Sequence, residues 1–250
     1  MLKSLTATLL IAAGLISGVA NAATLRVATN PTFPPFEFVN SETKEVTGFE
    51  MDLIRAMAKE MGYDVEILNI GFDGIIPALM AGTADVGASG FSITEERKKR
   101  VLFTDPFYKS GLTILVTKDA AKDIKTFEDL KGKTVGVQIG TTAAAKAKEI
   151  EGAKVTTFNN ASEAIMDLST GNSVAVINDR PVTDYILVQQ PALAEKTVHL
   201  TDQMLSADDF AMVVTKQNAK LQGELNAALK TLKENGEYDK IWKKWFGEAK

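Results

Sequence analysis

The chain has 250 residues, with 28 Lys and Arg, 32 Asp and Glu, one His and no Cys, and a formal net charge of −4. A hydrophobic fraction of 45% is typical of globular proteins and excludes collagen-like, low-complexity and wholly disordered chains. Without Cys, disulfides, thiolate nucleophiles and Cys-ligated metals are excluded. A mildly acidic chain without a basic stripe is also a poor match for nucleic acid or anionic membranes, so we expect neither as a partner.

The first 22 residues have the layout of a secretory signal peptide. Lys3 is the only charged residue in this segment, residues 5–19 are mostly apolar, and Ala20 and Ala22 are the small residues expected before a cleavage site. A transmembrane anchor is the alternative, but the apolar run is shorter than the ~20 residues that a bilayer requires, and Ser, Thr and Gly interrupt it. The segment predicts export, with cleavage before Ala23, into the periplasm of a bacterium.

The remaining chain alternates strand and helix patterns. β-Branched runs bounded by Gly or Pro predict strands, and apolar residues at helical spacing predict helices. Alternation at this spacing is typical of parallel sheets covered by helices, and it repeats after residue 130, which indicates two α/β lobes. The predicted strands are 25–29, 65–70, 84–88, 134–137 and 154–158, and the predicted helices are 48–61, 74–81 and 143–150.

An internal repeat relates the two halves at a constant offset of 89 residues. In this register Ser89-Gly90 falls opposite Asn178-Asp179, and both pairs follow a short strand, where open α/β sheets place their ligands. Chance similarity between two helix–strand units is the alternative explanation. The matching positions are Ile76 with Ile165, Leu79 with Leu168, and Gly82 with Gly171.

The C-terminal segment predicts a pair of helices separated by Asn235-Gly236. We interpret its aromatic residues as core contacts rather than as part of a ligand site. If this pair packs on the first lobe, the chain crosses between the lobes twice, and two crossings form a hinge. The helical stripes are Leu221, Leu225, Leu229 and Leu232, and then Tyr238, Ile241, Trp242 and Trp245.

Catalytic and cofactor motifs are absent from the sequence. His199 is the single histidine, so sites built from several histidines or cysteines cannot form, and we expect no metal, no cofactor and no catalytic residue. No G-x-S-x-G elbow, Walker loop or G-x-G-x-x-G motif follows a predicted strand. A catalytic pair of carboxylates is not excluded by the sequence, because its many acidic residues could form such a pair by chance.

Several residues in loops after strands are candidates for a binding site. Phe33 and Phe36 lie in NPTFPPFEF and Phe72 in GFDG, and aromatic residues in such loops are harder to explain as core than those inside helices. Arg97 lies in SITEERKKR, and Asp179 in INDRP ends an apolar strand. Asp179 is therefore the acid best placed to enter a cleft between the lobes.

Together these strings resemble the polar amino-acid family of bacterial periplasmic solute-binding proteins, solute-binding protein family 3, and most closely its glutamine-binding members. The likeness covers about residues 25–247. It is carried by VATNPTFPPFEF, GFEMDLIRAMAKEM, FDGIIPALMAGTADVGASGFSITEERKKRVLFTDPFYKSG, VGVQIGTT, AVINDRP and LKTLKENGEYDKIWKKWFG.

The resemblance implies an α/β, two-lobed periplasmic binding protein fold of type II. Each lobe would be a mostly parallel sheet flanked by helices, and a two-strand hinge would join the lobes. Lobe one would comprise 23–107 and 210–250, lobe two 111–206, and the hinge 107–111 and 206–210.

The resemblance also assigns a ligand site. Arg97 matches the arginine that holds the ligand carboxylate, and its planar fork suits bidentate binding. Asp179 matches the acid that pairs the α-ammonium, and Phe33 and Phe72 match an aromatic pair beside the ligand side chain. The other implied contacts are Asn30, Ser89, Gly90, Ser92, Gln138, Thr141, Thr142 and Asn178.

This sequence departs from the family pattern around the ligand side chain. Asn30 stands where an acid is usual, Gln138 where the glutamine receptor has lysine, and Asn178 where it has histidine. Because a buried cationic side chain needs a counter-charge, three amides favour a neutral polar ligand, with glutamine first. Asp73 or another carboxylate could supply a missing charge.

The implied function is a monomeric receptor that closes on an amino acid and delivers it to an inner-membrane ABC permease with its ATPase subunit. Two alternatives stay open on the same scaffold, namely a periplasmic dehydratase-type enzyme and a sensor for a membrane signalling receptor. An enzyme would need an acid–base group in place of the amides.

Overall fold

The computed structural model describes residues 23–248, so the predicted signal peptide lies outside the described residues. Fourteen strands are present in this part of the chain. In chain order they are β1 (Ala23–Thr29), β2 (Thr32–Phe33), β3 (Glu37–Val39), β4 (Val46–Thr47), β5 (Tyr63–Asn69), β6 (Val86–Gly87), β7 (Val101–Phe103), β8 (Tyr108–Thr117), β9 (Thr134–Gln138), β10 (Lys154–Phe158), β11 (Ala175–Asp179), β12 (Thr197–Leu200), β13 (Ala207–Phe210) and β14 (Val213–Thr215).

The same residues form nine α-helices and two short 3₁₀ turns, at Ala120–Lys122 and Glu128–Leu130. The helices are α1 (Phe49–Met61), α2 (Phe72–Met80), α3 (Glu95–Lys98), α4 (Thr142–Glu149), α5 (Ala161–Ser169), α6 (Arg180–Gln189), α7 (Pro191–Ala194), α8 (Ala219–Glu234) and α9 (Glu237–Phe246). None of them has the length and apolarity that a bilayer-spanning helix requires.

The fold has two α/β lobes, with one mixed sheet in each lobe. The first sheet has the order β5-β1-β6-β14-β7, and the second has the order β10-β9-β11-β8-β12, with β13 paired to β8. In each sheet three neighbouring strands run parallel: β5, β1 and β6 in the first, and β10, β9 and β11 in the second. An antiparallel strand extends each set: β14, which follows the return crossing, pairs with β6, and β8, which makes the first crossing, pairs with β11.

The two crossing segments pair with each other. β8 and β13 are antiparallel, with Tyr108 opposite Phe210 and Gly111 opposite Ala207. β8 continues into the second sheet, whereas β13 leads back to β14 in the first. The paired strands β8 and β13 therefore join the two lobes.

Helix α1 shows how the sequence builds lobe one. Its buried Leu53, Ile54 and Met57 recur at helical spacing, and Gly62 ends the helix in the left-handed conformation with a φ of 76°. The buried leucines of α8 join the same core cluster as α1. The predicted C-terminal helix pair is confirmed, and it packs on lobe one.

The aromatic stripe of α9 is part of this core. The Trp242 ring lies 5.3 Å from the ring of Tyr108 and 5.7 Å from that of Phe49. Tyr238 donates a hydrogen bond from Oη to the Phe107 carbonyl oxygen at 2.6 Å, just before β8 begins. These contacts confirm the core interpretation and anchor the first crossing strand to lobe one.

Candidate functional site

A cavity between the lobes collects the predicted site residues. All of them line it except Asn178 and the loop candidate Phe36, and Glu37, which the sequence did not single out, lines it as well. Most come from loops at the carboxyl ends of strands, where an α/β sheet presents its backbone groups and side chains to a ligand. The lining residues are Asn30, Phe33, Glu37, Phe72, Ser89, Gly90, Ser92, Arg97, Gln138, Thr141, Thr142 and Asp179.

Arg97 is held in the cavity by contacts from both lobes. Its Nη1 donates to the Ser92 carbonyl oxygen at 2.9 Å, and its Nη2 donates to the Gly140 carbonyl oxygen of lobe two at 3.1 Å. The guanidinium lies 5.3 Å from the centre of the Phe72 ring and 5.2 Å from that of Phe91. Burial lowers the pKa of Arg97 to about 10, so the side chain stays cationic at neutral pH.

Asp179 supplies the opposite charge from lobe two. It ends β11, is 7% exposed, and accepts a hydrogen bond from Ser110 Oγ at 2.7 Å. Burial raises the pKa of Asp179 to about 7, while the Ser110 hydrogen bond and the positive charge of Arg97 oppose that rise. The cavity therefore carries a cation from one lobe and a titratable acid from the other.

Polar contacts close the lobes over the cavity. Gln138 Nε2 donates to Asn30 Oδ1 at 3.0 Å, and Ser92 Oγ lies 3.4 Å from Thr142 Oγ1. Gly140 has a φ of 76°, and a Cβ built there would lie 2.9 Å from the Cβ of Asp73 in lobe one. This close approach requires glycine at position 140.

Thr141 organises the lobe-two edge of the cavity. Its Oγ1 donates to the Gln138 carbonyl oxygen at 2.7 Å and accepts from the Ala144 N–H at 3.1 Å, which caps α4. Both hydrogen bonds of this hydroxyl are therefore made to groups within lobe two. The N-terminus of α4 favours an anion next to Arg97.

Asn178 lies outside the cavity lining. Its Nδ2 is 3.3 Å from Thr183 Oγ1, and its carbonyl oxygen accepts from Thr113 Oγ1 at 3.4 Å. Because side chains alternate along a strand, Asp179 and its neighbour Asn178 point to opposite faces of β11. Two of the three expected amides, Asn30 and Gln138, line the cavity, and a ligand contact of Asn178 stays a prediction.

The two aromatic walls have different surroundings. Phe33 lies 6.2 Å from Phe210 between ring centres, whereas Phe72 stacks on Phe91 at 4.6 Å. Phe36, the other aromatic residue of the NPTFPPFEF loop, is fully buried and packs 4.8 Å from Tyr108. Phe36 is thus a core residue, and Phe33 and Phe72 border the cavity.

Two buried acids support the loop after β6. Glu37 accepts a hydrogen bond from Ser89 Oγ at 3.1 Å, and Glu50 accepts one from the Gly90 N–H at 2.7 Å. A sequence signal existed for Glu50, because it precedes Leu53 and Ile54 by three and four positions on the apolar face of α1. Glu37, enclosed in an aromatic loop, carried only the weaker signal of an acid among apolar neighbours.

His199 has hydrogen-bond partners on both ring nitrogens. Nδ1 lies 2.9 Å from Asp184 Oδ1, and Nε2 lies 2.7 Å from Thr113 Oγ1. The His199 side chain is 7% exposed. These contacts agree with the prediction of a satisfied histidine.

Comparison with known proteins identifies the family. Residues 25–248 match the profile of the bacterial extracellular solute-binding proteins, family 3. The chain belongs to this family. It is 33% identical over 230 residues to ABC transporter arginine-binding protein 1 of Escherichia coli K12, which covers 92% of this chain and 93% of that protein. Its relatives are named as arginine-, histidine- or cystine-binding proteins, and this chain is a solute-binding protein for amino acids.

Solved structures agree with this assignment. An ancestral arginine-binding protein bound to glutamine has 44% sequence identity and a TM-score of 0.85, over 90% of this chain and 99% of that one. An ancestral amino acid-binding protein described as a precursor of cyclohexadienyl dehydratase has 41% identity and a TM-score of 0.81, over 90% of this chain and 96% of that one. The two-lobed fold is therefore shared with amino-acid receptors.

Proposed function

We propose that this protein captures an L-amino acid by gripping its carboxylate with Arg97 and its ammonium with Asp179. The observation that carries the proposal is that these two side chains come from different lobes and line one cavity. Each charge-assisted hydrogen bond contributes ~1.5–3 kcal/mol. A few such bonds are enough for a micromolar complex, which requires about 8 kcal/mol.

The side chain of the ligand follows from the acid at the cavity. Asn30 and Gln138 support the glutamine that the sequence favours. Burial raises the pKa of Glu37 well above its usual range, but a guanidinium beside it would favour the ionised form, so Glu37 is the acid that would supply the counter-charge of a cationic side chain. The arginine-binding relatives support a ligand with a cationic side chain. We infer that arginine is the first ligand and glutamine the second.

The transport role rests on closure and on the family. The hydrogen bonds between Gln138 and Asn30 and between Arg97 and Gly140 join the lobes, so ligand capture changes the surface that the lobes present together. We infer that the closed monomer, exported to the periplasm, delivers its amino acid to an ABC permease with its ATPase subunit.

A second candidate function is a dehydratase-type reaction. It is favoured by Glu37, a buried acid whose pKa is raised well above its usual range and which faces the cavity, as a general acid would. The likeness to a dehydratase precursor points in the same direction. Incubation with prephenate or arogenate separates the two functions, because only the enzyme forms product.

A thermal-shift screen of the twenty amino acids tests the proposed function. A ligand that binds only the folded state stabilises it by RT ln(1 + [L]/Kd), about 2.7 kcal/mol at a hundred times Kd. We expect the largest shift with arginine and the next with glutamine, and we expect no product from prephenate. No shift with any amino acid would contradict the proposal.

A further inference from the structure

Two carboxyl groups without cationic partners lie together beside the cavity. Glu37 and Glu50 are both 0% exposed, and within residues 23–248 neither forms a salt bridge with a lysine or arginine. Burial raises the pKa of both acids, and the negative charge of Glu50 raises that of Glu37 further. Two ionised carboxylates side by side in such a place would be far more costly than one.

The hydrogen bonds leave room for one proton between the two acids. Ser89 donates to Oε1 of Glu37, and the Gly90 N–H donates to Oε2 of Glu50. The other two oxygens, Glu37 Oε2 and Glu50 Oε1, are buried without a donor. Because a buried carboxylate oxygen needs a partner, one proton held between these two atoms satisfies both.

We propose that Glu37 and Glu50 share a single proton, and that its position lets one cavity accept either a cationic or a neutral amino-acid side chain. With the proton on Glu50, Glu37 presents a carboxylate to a guanidinium. With the proton on Glu37 Oε2, its O–H donates to Glu50 Oε1, and the neutral Glu37 can accept an N–H of a side-chain amide through Oε1. The proton moves between Glu37 Oε2 and Glu50 Oε1, so no proton is exchanged with solvent.

The inference rests on the proposed function and adds roles for both acids. Glu37 is the residue that selects the ligand side chain, and Glu50 is a positioning residue that acts through Glu37. Arg97 and Asp179 are the other charged residues that line the cavity with Glu37, and the negative charge of Asp179 raises the pKa of Glu37 further. Burial raises the pKa of the nearby Tyr108 to about 12, so that phenol stays neutral.

Two isosteric variants test the shared proton through the ratio of the association constants for arginine and glutamine. In Glu50→Gln, the amide can donate permanently to Glu37 Oε2, which fixes Glu37 as a carboxylate, and we expect the arginine-to-glutamine ratio to rise at least fivefold. In Glu37→Gln the cavity loses its carboxylate, and we expect the ratio to fall at least tenfold. Glu66→Gln, an exposed change on β5, is the matched control and leaves the ratio unchanged.

Isothermal titration of each variant measures these ratios, with circular dichroism as the test of folding. Ratios that move in opposite directions support the proposal. Ratios that move together, or do not move, overturn it, because a merely structural role would weaken both ligands alike. If the wild-type protein binds neither amino acid, the proposed function fails instead.

The pH dependence of the wild-type ratio provides a second test that needs no variant. At low pH the pair takes up a second proton, which removes its negative charge and disfavours only the cationic side chain. Protonation of Asp179 affects the ammonium common to both ligands and cancels in the ratio. We expect the arginine-to-glutamine ratio to be at least fivefold lower at pH 5 than at pH 8, and a constant ratio overturns the proposal.

Discussion

The two lobes place related structural units at the cavity but give them different chemistry. α2 and α5 have the same length at an offset of 89 residues, and each is followed by a left-handed glycine, Gly82 or Gly171. The next strands, β6 and β11, also begin 89 residues apart. After β6 comes the Ser89-Gly90 loop, which Glu37 and Glu50 support, whereas β11 ends in Asp179 itself.

This difference divides the charges needed for a zwitterion between the lobes. Lobe one contributes the cation Arg97, and lobe two contributes the acid Asp179. Neither lobe alone can pair both ends of an amino acid, and burying an unpaired charge is unfavourable. In the proposed mode of binding, the ligand favours closure, because only the closed arrangement pairs both charges.

The largest expected effect is the loss of the lobe-two charge at low pH. Asp179 must be ionised to pair an ammonium, and burial raises its pKa to about 7. We expect the affinity for glutamine to fall roughly tenfold per pH unit below 7, about a hundredfold at pH 5. Isothermal titration between pH 5 and 8 measures this. An affinity that is constant over the range would show that the charge of Asp179 is not used.

Ionisation of Asp179 has the opposite effect on the stability of the ligand-free protein: as the pH rises, affinity increases but stability decreases. An unfolded aspartate has a lower pKa than the buried Asp179, so the unfolded chain releases its proton first as the pH rises. Stability associated with Asp179 is therefore greatest below about pH 4 and is lost as the pH rises toward 7. Thermal melts of the ligand-free wild-type protein between pH 4 and 7 measure this dependence. Asp179→Asn is the control, because it removes the titrating group.

A smaller effect is expected where the lobes touch. Gly140→Ala places a Cβ 2.9 Å from Asp73, which opposes closure, and we expect an affinity about fivefold weaker. Gly132→Ala is the matched control, because its φ of 69° is equally left-handed and no atom lies within 4 Å of the added Cβ. Equal affinities of the two variants in isothermal titration would contradict the role of position 140 in closure.

The smallest expected effect is on folding stability, at the glycines that end the two repeated helices α2 and α5. Gly82 and Gly171 have φ values of 71° and 81°, and a Cβ at either meets no atom within 4 Å. Each Ala substitution should therefore cost only the left-handed strain, roughly 1–2 kcal/mol. We expect equal losses in urea denaturation, without a change in affinity. Losses that differ by more than about 1 kcal/mol would weaken the equivalence of the two units.

Much of the fold could be predicted because its signals are local. Apolar spacing and Gly62 define α1 as predicted, and residues 154–158 form the predicted strand. The short strand predicted at 84–88 is reduced to Val86–Gly87, because only these residues pair with β1. The lobe boundaries stay a prediction, and the pairing of β8 with β13 gives the physical basis for testing them.

The candidate site was predictable where it follows strands and motifs, and not where it depends on packing. Arg97 and Asp179 come from motifs, and both line the cavity. Glu37 and Glu50 escaped selection because no sequence pattern reveals that two acids from distant segments meet in the interior. Asn178 was selected with its neighbour Asp179, although adjacent strand residues point to opposite faces. The placement of Glu37 at the cavity is the observation behind our proposal of arginine ahead of glutamine.

Arg97 and Asp179 are proposed to bind opposite ends of one amino acid. The most direct test combines variants that lack each side chain with a ligand that lacks the carboxylate. Isothermal titration would compare arginine with agmatine, its decarboxylated analogue, on wild-type protein, Arg97→Ala and Asp179→Ala, with exposed Arg55→Ala as the control. We expect each site variant to weaken arginine at least tenfold, and Arg97→Ala to remove the preference for arginine over agmatine. If Arg97→Ala weakens both ligands by the same factor, Arg97 does not hold the carboxylate and the account is wrong.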